Sequence, residues 1–111
     1  MLTSAHRLTD SDSFRAAVRR GKRSGSRTMV VHLVAGTTPR DPRVGFVVSK
    51  AVGNAVIRNR VKRRLRHLAR EHVSSLPGSA VLVVRALPAA AEATYAELGV
   101  DLERCLDRVL S

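Results

Sequence analysis

Apolar and polar positions along this chain follow two rhythms, one with the period of a helix and one of short unbroken runs. Phe14, Ala17 and Val18 recur at helical spacing behind the cap-and-acid cluster Thr9-Asp10-Ser11-Asp12, and Gly21 ends the segment. Met29 to Ala35 is a β-branched apolar run interrupted only by His32, which predicts a strand. After the turn-rich stretch Gly36–Pro42, Val44 to Ser49 predicts a second strand, antiparallel to the first. Gly53 breaks that strand, and Asn54 supplies an N-cap for a helix from about Ala55 to Val73. Its apolar stripe is Ile57, Val61, Leu65, Leu68 and Val73. Pro77-Gly78 turns the chain into Ala80–Val84, apolar throughout and therefore a buried strand. Thr94-Tyr95-Ala96-Glu97 reads as a capping box. It opens a last helix whose core side is Tyr95, Leu98, Leu102, Cys105, Leu106 and Val109. The order α-β-β-α-β-α predicts helices packed on a small sheet.

Composition narrows the class. With 111 residues, the chain is expected to form one domain, 1–111, too small for an enzyme carrying its own cofactor domain. Only Phe14, Phe46 and Tyr95 are aromatic, so the core must be built from Val, Leu and Ala. The single Cys105 excludes a disulfide scaffold. With no basic-then-apolar leader at the N-terminus, it implies a reducing, cytoplasmic setting. Apolar runs such as Ala80–Val84 fall far short of a membrane span of roughly 20 residues, so no membrane role is expected.

Charge changes the picture most. Lys and Arg number 20 against 9 Asp and Glu, a net +11, which argues for a polyanionic partner. Residues 1–70 hold 17 of those basic side chains and only Asp10, Asp12 and Asp41 as acids. The molecule should therefore carry one strongly positive face.

The basic residues concentrate on the central helix. Seven of the thirteen residues from Arg58 to Arg70 are Arg or Lys and none is acidic. Helical geometry places Arg58, Lys62 and Arg66 on one flank of the apolar stripe and Arg60, Arg63, His67 and Arg70 around the other. Arg58 and Arg60 are expected to point away from the stripe, and Arg64 to lay its stem along the stripe's edge. Like charges at i, i+4 repel by a few tenths of a kcal/mol per pair, and a phosphate backbone would turn that repulsion into attraction. Arginine outnumbers lysine six to one here, and its planar fork suits phosphate oxygens. Asn59 adds a neutral donor and acceptor for a base edge or a 2′-hydroxyl. Simple solvation or binding to acidic lipid are the competing readings of such a helix. Charge alone leaves DNA and RNA both open.

The stretch Arg43-Val44-Gly45-Phe46-Val47-Val48-Ser49-Lys50-Ala51-Val52-Gly53-Asn54-Ala55-Val56, followed by Ile57-Arg58-Asn59-Arg60, resembles the protein subunit of bacterial ribonuclease P. The strand R-x-G-hydrophobic, the S-K-x-x-G-N-A-V segment and the R-N-R helix stand in order and at the family's spacing. The resemblance implies a two-layer α+β sandwich with a mixed sheet and a left-handed β-α-β crossover, against the usual right-handed rule. It implies an accessory subunit of an endoribonuclease that removes the 5′ leader of precursor tRNA, with the catalytic centre and Mg²⁺ held by the RNA subunit and substrate. The implied partners are the ribonuclease P RNA and precursor tRNA, with no protein partner required.

By the same resemblance, Lys50, Gly53, Asn54, Arg58, Asn59, Arg60, Lys62, Arg63 and Arg66 face the catalytic RNA. Phe14, Arg15, Val18 and His32 belong to a leader cleft between the first helix and the open face of the sheet, flanked by Arg19, Arg20, Lys22 and Arg23. Phe14 and His32 have core readings of equal weight, and Asn54 reads first as a cap. No catalytic residue and no metal ligand is assigned. A structural RNA-binding module such as a small ribosomal protein is the alternative. A self-sufficient metal-dependent nuclease is disfavoured because its carboxylates, Glu92, Glu97, Asp101, Glu103 and Asp107, lie on the weakly charged C-terminal part.

Overall fold

The computed structural model describes Leu8, residues 11–36 and residues 41–111. Helix α1 spans Ser11–Arg20, followed by strands β1 (Lys22–Gly25), β2 (Met29–Val34) and β3 (Arg43–Val47). Helix α2 spans Ala55–Arg70, β4 Val81–Ala86 and α3 Tyr95–Leu110, with short 3₁₀ turns at Val73–Ser75 and Pro88–Ala91. The cap candidates Thr9 and Asp10 and the turn residues 37–40 lie outside the described residues.

The four strands form one mixed sheet in the order β1-β2-β4-β3. β2 pairs with β4 antiparallel, Met29 opposite Ala86 and Val34 opposite Val81, while β3 pairs with β4 in parallel, Arg43 opposite Val81. β3 thus runs opposite to β2, as its sequence predicts, but the two are not neighbours. The chain leaves β3, crosses through α2 and returns as β4 into the middle of the sheet. The composition of β4 explains that position: apart from Arg85 it is buried along its whole length, which only a central strand requires.

Strand β1 departs from the expected element order. Its sequence, Lys22-Arg23-Ser24-Gly25, is polar, and only Ser24 is buried. Such a strand pairs on one side alone, at the sheet edge, and carries no apolar periodicity to announce it. The α2 helix also ends at Arg70 rather than Val73, because Glu71 and His72 tighten into i→i−3 bonds to Leu68 and Ala69. Val73 is nonetheless buried, in the 3₁₀ turn that follows.

Alternation along the strands separates two apolar clusters. Met29, Val31, Leu33, Val44, Leu82 and Val84 meet Val61, Leu65 and Leu68 of α2 and Leu98, Leu102, Cys105, Leu106 and Val109 of α3. On the opposite face α1 lies across part of the sheet, with Leu8 and Ala17 packed on Val81 and Val83. Tyr95 is a correction. It is 40% exposed, standing at the first position of α3, and it does not join the core side of that helix.

Candidate nucleic-acid interface

The start of α2 is set by two residues. Asn54 has extended backbone, and its side-chain oxygen accepts a hydrogen bond from the Ile57 N–H at 3.0 Å, so it is the N-cap. Gly53 sits at φ 157°, and a Cβ there would stand 2.9 Å from Ile57 Cγ2, so the turn into α2 closes only around a glycine. The same turn, tied by Val52 N–H to Ser49 and Gly53 N–H to Lys50, leaves Lys50 exposed beside the helix.

From that start α2 buries Val61, Leu65, Leu68 and Ala69 and turns most of its basic residues outward. Asn59, Lys62, Arg63, Arg66 and His67 together line one open groove. The two flanks expected from the sequence are therefore largely one face, and its order around the helix is Lys62, Arg66, Asn59, Arg63, His67. Among the described residues the ion pairs are Arg15–Asp12 and Arg27–Glu97, both at 3.3 Å, so no acid neutralises α2. Val56 is 75% exposed on the first turn and leaves an apolar side chain on this surface that charge counting overlooks.

Not every cation of α2 faces outward freely. Arg60 and Arg64 each donate a 3.3 Å hydrogen bond, to the carbonyls of Ala91 and Ala93, and so tie the segment before α3 to α2. Arg58 departs from expectation: it is half-buried, with its Nε enclosed and making no hydrogen bond among the described residues. At roughly 100° per residue it falls on the side of Leu65 and Ala69, toward the packed face.

The second group of candidate residues lies on the α1 side of the sheet. Phe14 is half-buried against the Leu8, Ala17, Val81 and Val83 cluster, so it contributes to packing with part of its ring open. Val18 is 39% exposed, and Arg15, Arg19, Arg20 and Arg23 are exposed around α1 and the β1 edge. Arg15 pairs with Asp12, and Lys22 donates to the Ser111 carbonyl at 3.0 Å. His32 is only 5% exposed, and its Nδ1 is buried without a hydrogen-bond partner among the described residues. Register puts Arg23 directly opposite His32 and Arg85 opposite the neighbouring same-face residue Val30. Burial, then the positive charges of Arg23 and Arg85, hold the imidazole below its ordinary pKa of 6.5. Sequence reasoning passes over Arg85, although a lone exposed charge in an apolar strand is the signal that marks it.

No group of three or more His, Cys, Asp or Glu side chains able to hold a metal ion occurs among the described residues. No helix among them is long and apolar enough to cross a membrane.

A family model described as ribonuclease P matches residues 2–110. This chain belongs to that family. It is 71% identical over 111 residues to the ribonuclease P protein component of Nocardioides sp. (strain ATCC BAA-499 / JS614), covering 98% of this chain and 95% of that protein. Identity to the ribonuclease P protein component of Streptomyces avermitilis is 52% over 118 residues, covering 99% and 96%. The fold agrees as well. The Staphylococcus aureus ribonuclease P protein superposes with a TM-score of 0.82 at 29% identity, over 94% of each chain. The Ser49–Val56 segment that carries the resemblance runs from the end of β3 to the first turn of α2, where it shapes the N-cap and presents the basic face.

Proposed function

We propose that this chain serves as the protein subunit of a ribonuclease P ribonucleoprotein, binding the catalytic RNA on α2 and the 5′ leader of precursor tRNA beside α1. The observation that carries the reading is the unneutralised basic face of α2, set at a fixed angle by the Asn54 cap and Gly53. Lys62, Arg63 and Arg66 supply phosphate contacts there, and Asn59 a hydrogen bond to a base edge or ribose. On the other side of the sheet, Phe14 offers a partly open ring for stacking, and the exposed Arg23 and Arg85, beside the buried His32, offer cationic contacts to a single strand.

The chemistry is assigned to the RNA, as the family resemblance implies. Mg²⁺ belongs with the RNA and the substrate, and the compartment with the cytoplasm. What this chain contributes is positioning: cations that offset phosphate repulsion between two RNAs lower the requirement for divalent ions.

The test is cleavage of a precursor tRNA by bacterial ribonuclease P RNA at low Mg²⁺, with and without the protein. Stimulation should appear, and should shrink when the leader is cut to one nucleotide. Tight RNA binding without stimulation would instead mark a structural RNA-binding protein. Cleavage by RNA-free protein would overturn the assignment of chemistry to the RNA.

A further inference from the structure

Beyond the basic groove, α2 carries a feature that phosphate binding does not use. His67 closes one side of the groove, and its ring centroid lies 6.1 Å from that of Tyr95, with the planes tilted by 58°. Tyr95 is 40% exposed, whereas Phe14 and Phe46 both pack against the apolar clusters. Its hydroxyl takes part in no hydrogen bond among the described residues. The Arg60–Ala91 and Arg64–Ala93 hydrogen bonds hold the chain just before Tyr95 against α2, so the ring pair is fixed relative to the groove. An open aromatic edge joined to a run of arginines provides the two contacts that an unpaired nucleotide requires.

We propose that the His67–Tyr95 pair is a stacking site for one unpaired nucleobase of the catalytic RNA. This rests on the reading of α2 as the surface for that RNA, and deepens it. Arg63 and Arg66 hold the flanking phosphates, and the base turns toward His67, the last residue around that face, to lie on the Tyr95 ring. Stacking tolerates any base, so the site selects for an unpaired nucleotide and not for a particular letter.

The chain itself supplies the probe, because Tyr95 is its only tyrosine and it has no tryptophan. Titration with bacterial ribonuclease P RNA, corrected for RNA absorbance, should quench Tyr95 emission with the same midpoint as filter-retained binding. Tyr95→Leu should weaken that binding by about fivefold or more, with its salt dependence unchanged because no phosphate contact is lost. Tyr95→Phe should bind like the parent. Circular dichroism confirms that the variants are folded. Emission unaltered at saturation, or Tyr95→Leu binding within about twofold of the parent, would overturn the stacking site while leaving the functional reading intact. Failure of the parent protein to bind the RNA at all would bring down both, and is distinguishable from either result.

Discussion

The Phe14 ring occupies the space directly over Gly45. A Cβ on Gly45 would overlap the Cζ end of that ring and stand 2.9 Å from Leu8 Cδ2. Gly45, midway along the edge strand β3, pairs with Val83 of β4, so the missing side chain is what allows α1 to lie close to it. Gly45→Ala should lower the unfolding free energy by about 1–3 kcal/mol, as overpacking does, and should weaken binding of a single-stranded leader oligonucleotide. Urea denaturation measures the first effect and fluorescence anisotropy the second. Unchanged values of both would mean that α1 absorbs the methyl group by shifting, and that its position over β3 does not matter.

The two halves of the α2 surface should separate by salt dependence. Arg63→Ala with Arg66→Ala removes charges lining the open groove, and the slope of log K against log salt should fall by about one per lost phosphate contact, with melting unchanged. Arg58→Ala should behave otherwise. Its half-buried stem lies on the Leu65 and Ala69 side of the helix, so stability should drop by about 1 kcal/mol. An unchanged salt slope in the Arg63/Arg66 variant would show that the RNA uses another face.

His32 gives a pH dependence whose sign is determined. Its folded-state pKa is lowered from 6.5 by burial and by Arg23 and Arg85. As pH falls below about 6.5 the unfolded chain takes up a proton that the folded chain resists, so stability declines with acidification until the folded imidazole also titrates. Thermal melts between pH 7.5 and 5.5 should show a larger loss for the parent than for His32→Leu. Parallel curves would mean that His32 titrates alike in the folded and unfolded chains, so that burial and the two arginines do not lower its pKa.

The dual reading of Asn54 can be separated by its replacement. Asn54→Ala should cost about 1 kcal/mol through loss of the cap to Ile57, whereas Asn54→Ser keeps a capping oxygen and should preserve stability. Catalytic-RNA affinity that tracks stability across the pair would assign Asn54 to capping alone. A Ser variant that is stable but binds weakly would add a direct RNA contact.

Much of this architecture is legible from residue order because it depends on interactions spanning only a few positions. The Asn54 and Thr94–Glu97 caps, the Val61–Leu65–Leu68 stripe and the β-branched strands all follow from local hydrogen bonding and periodicity. The basic face of α2 follows too, since helical geometry alone collects those side chains. The S-K-x-x-G-N-A-V and R-N-R segments point to the family by residue order alone.

Tertiary structure decided the rest. Strand β1 is polar and exists through its pairing with β2, and no local pattern reveals that pairing. The place of β4 between β2 and β3 depends on how an entire crossover packs, a long-range choice that the apolar run permits but does not specify. Arg58 turned inward because which side of a helix is buried depends on the rotation at which it docks on its neighbours, and Tyr95 stayed exposed because it stands at the very start of α3. His32 acquired its lowered pKa first from burial in the assembled sheet and then from Arg23 and Arg85, which β1 and β4 bring to the same face. Local chemistry determined which elements form and what they carry; long-range packing determined which charged and aromatic side chains remained exposed.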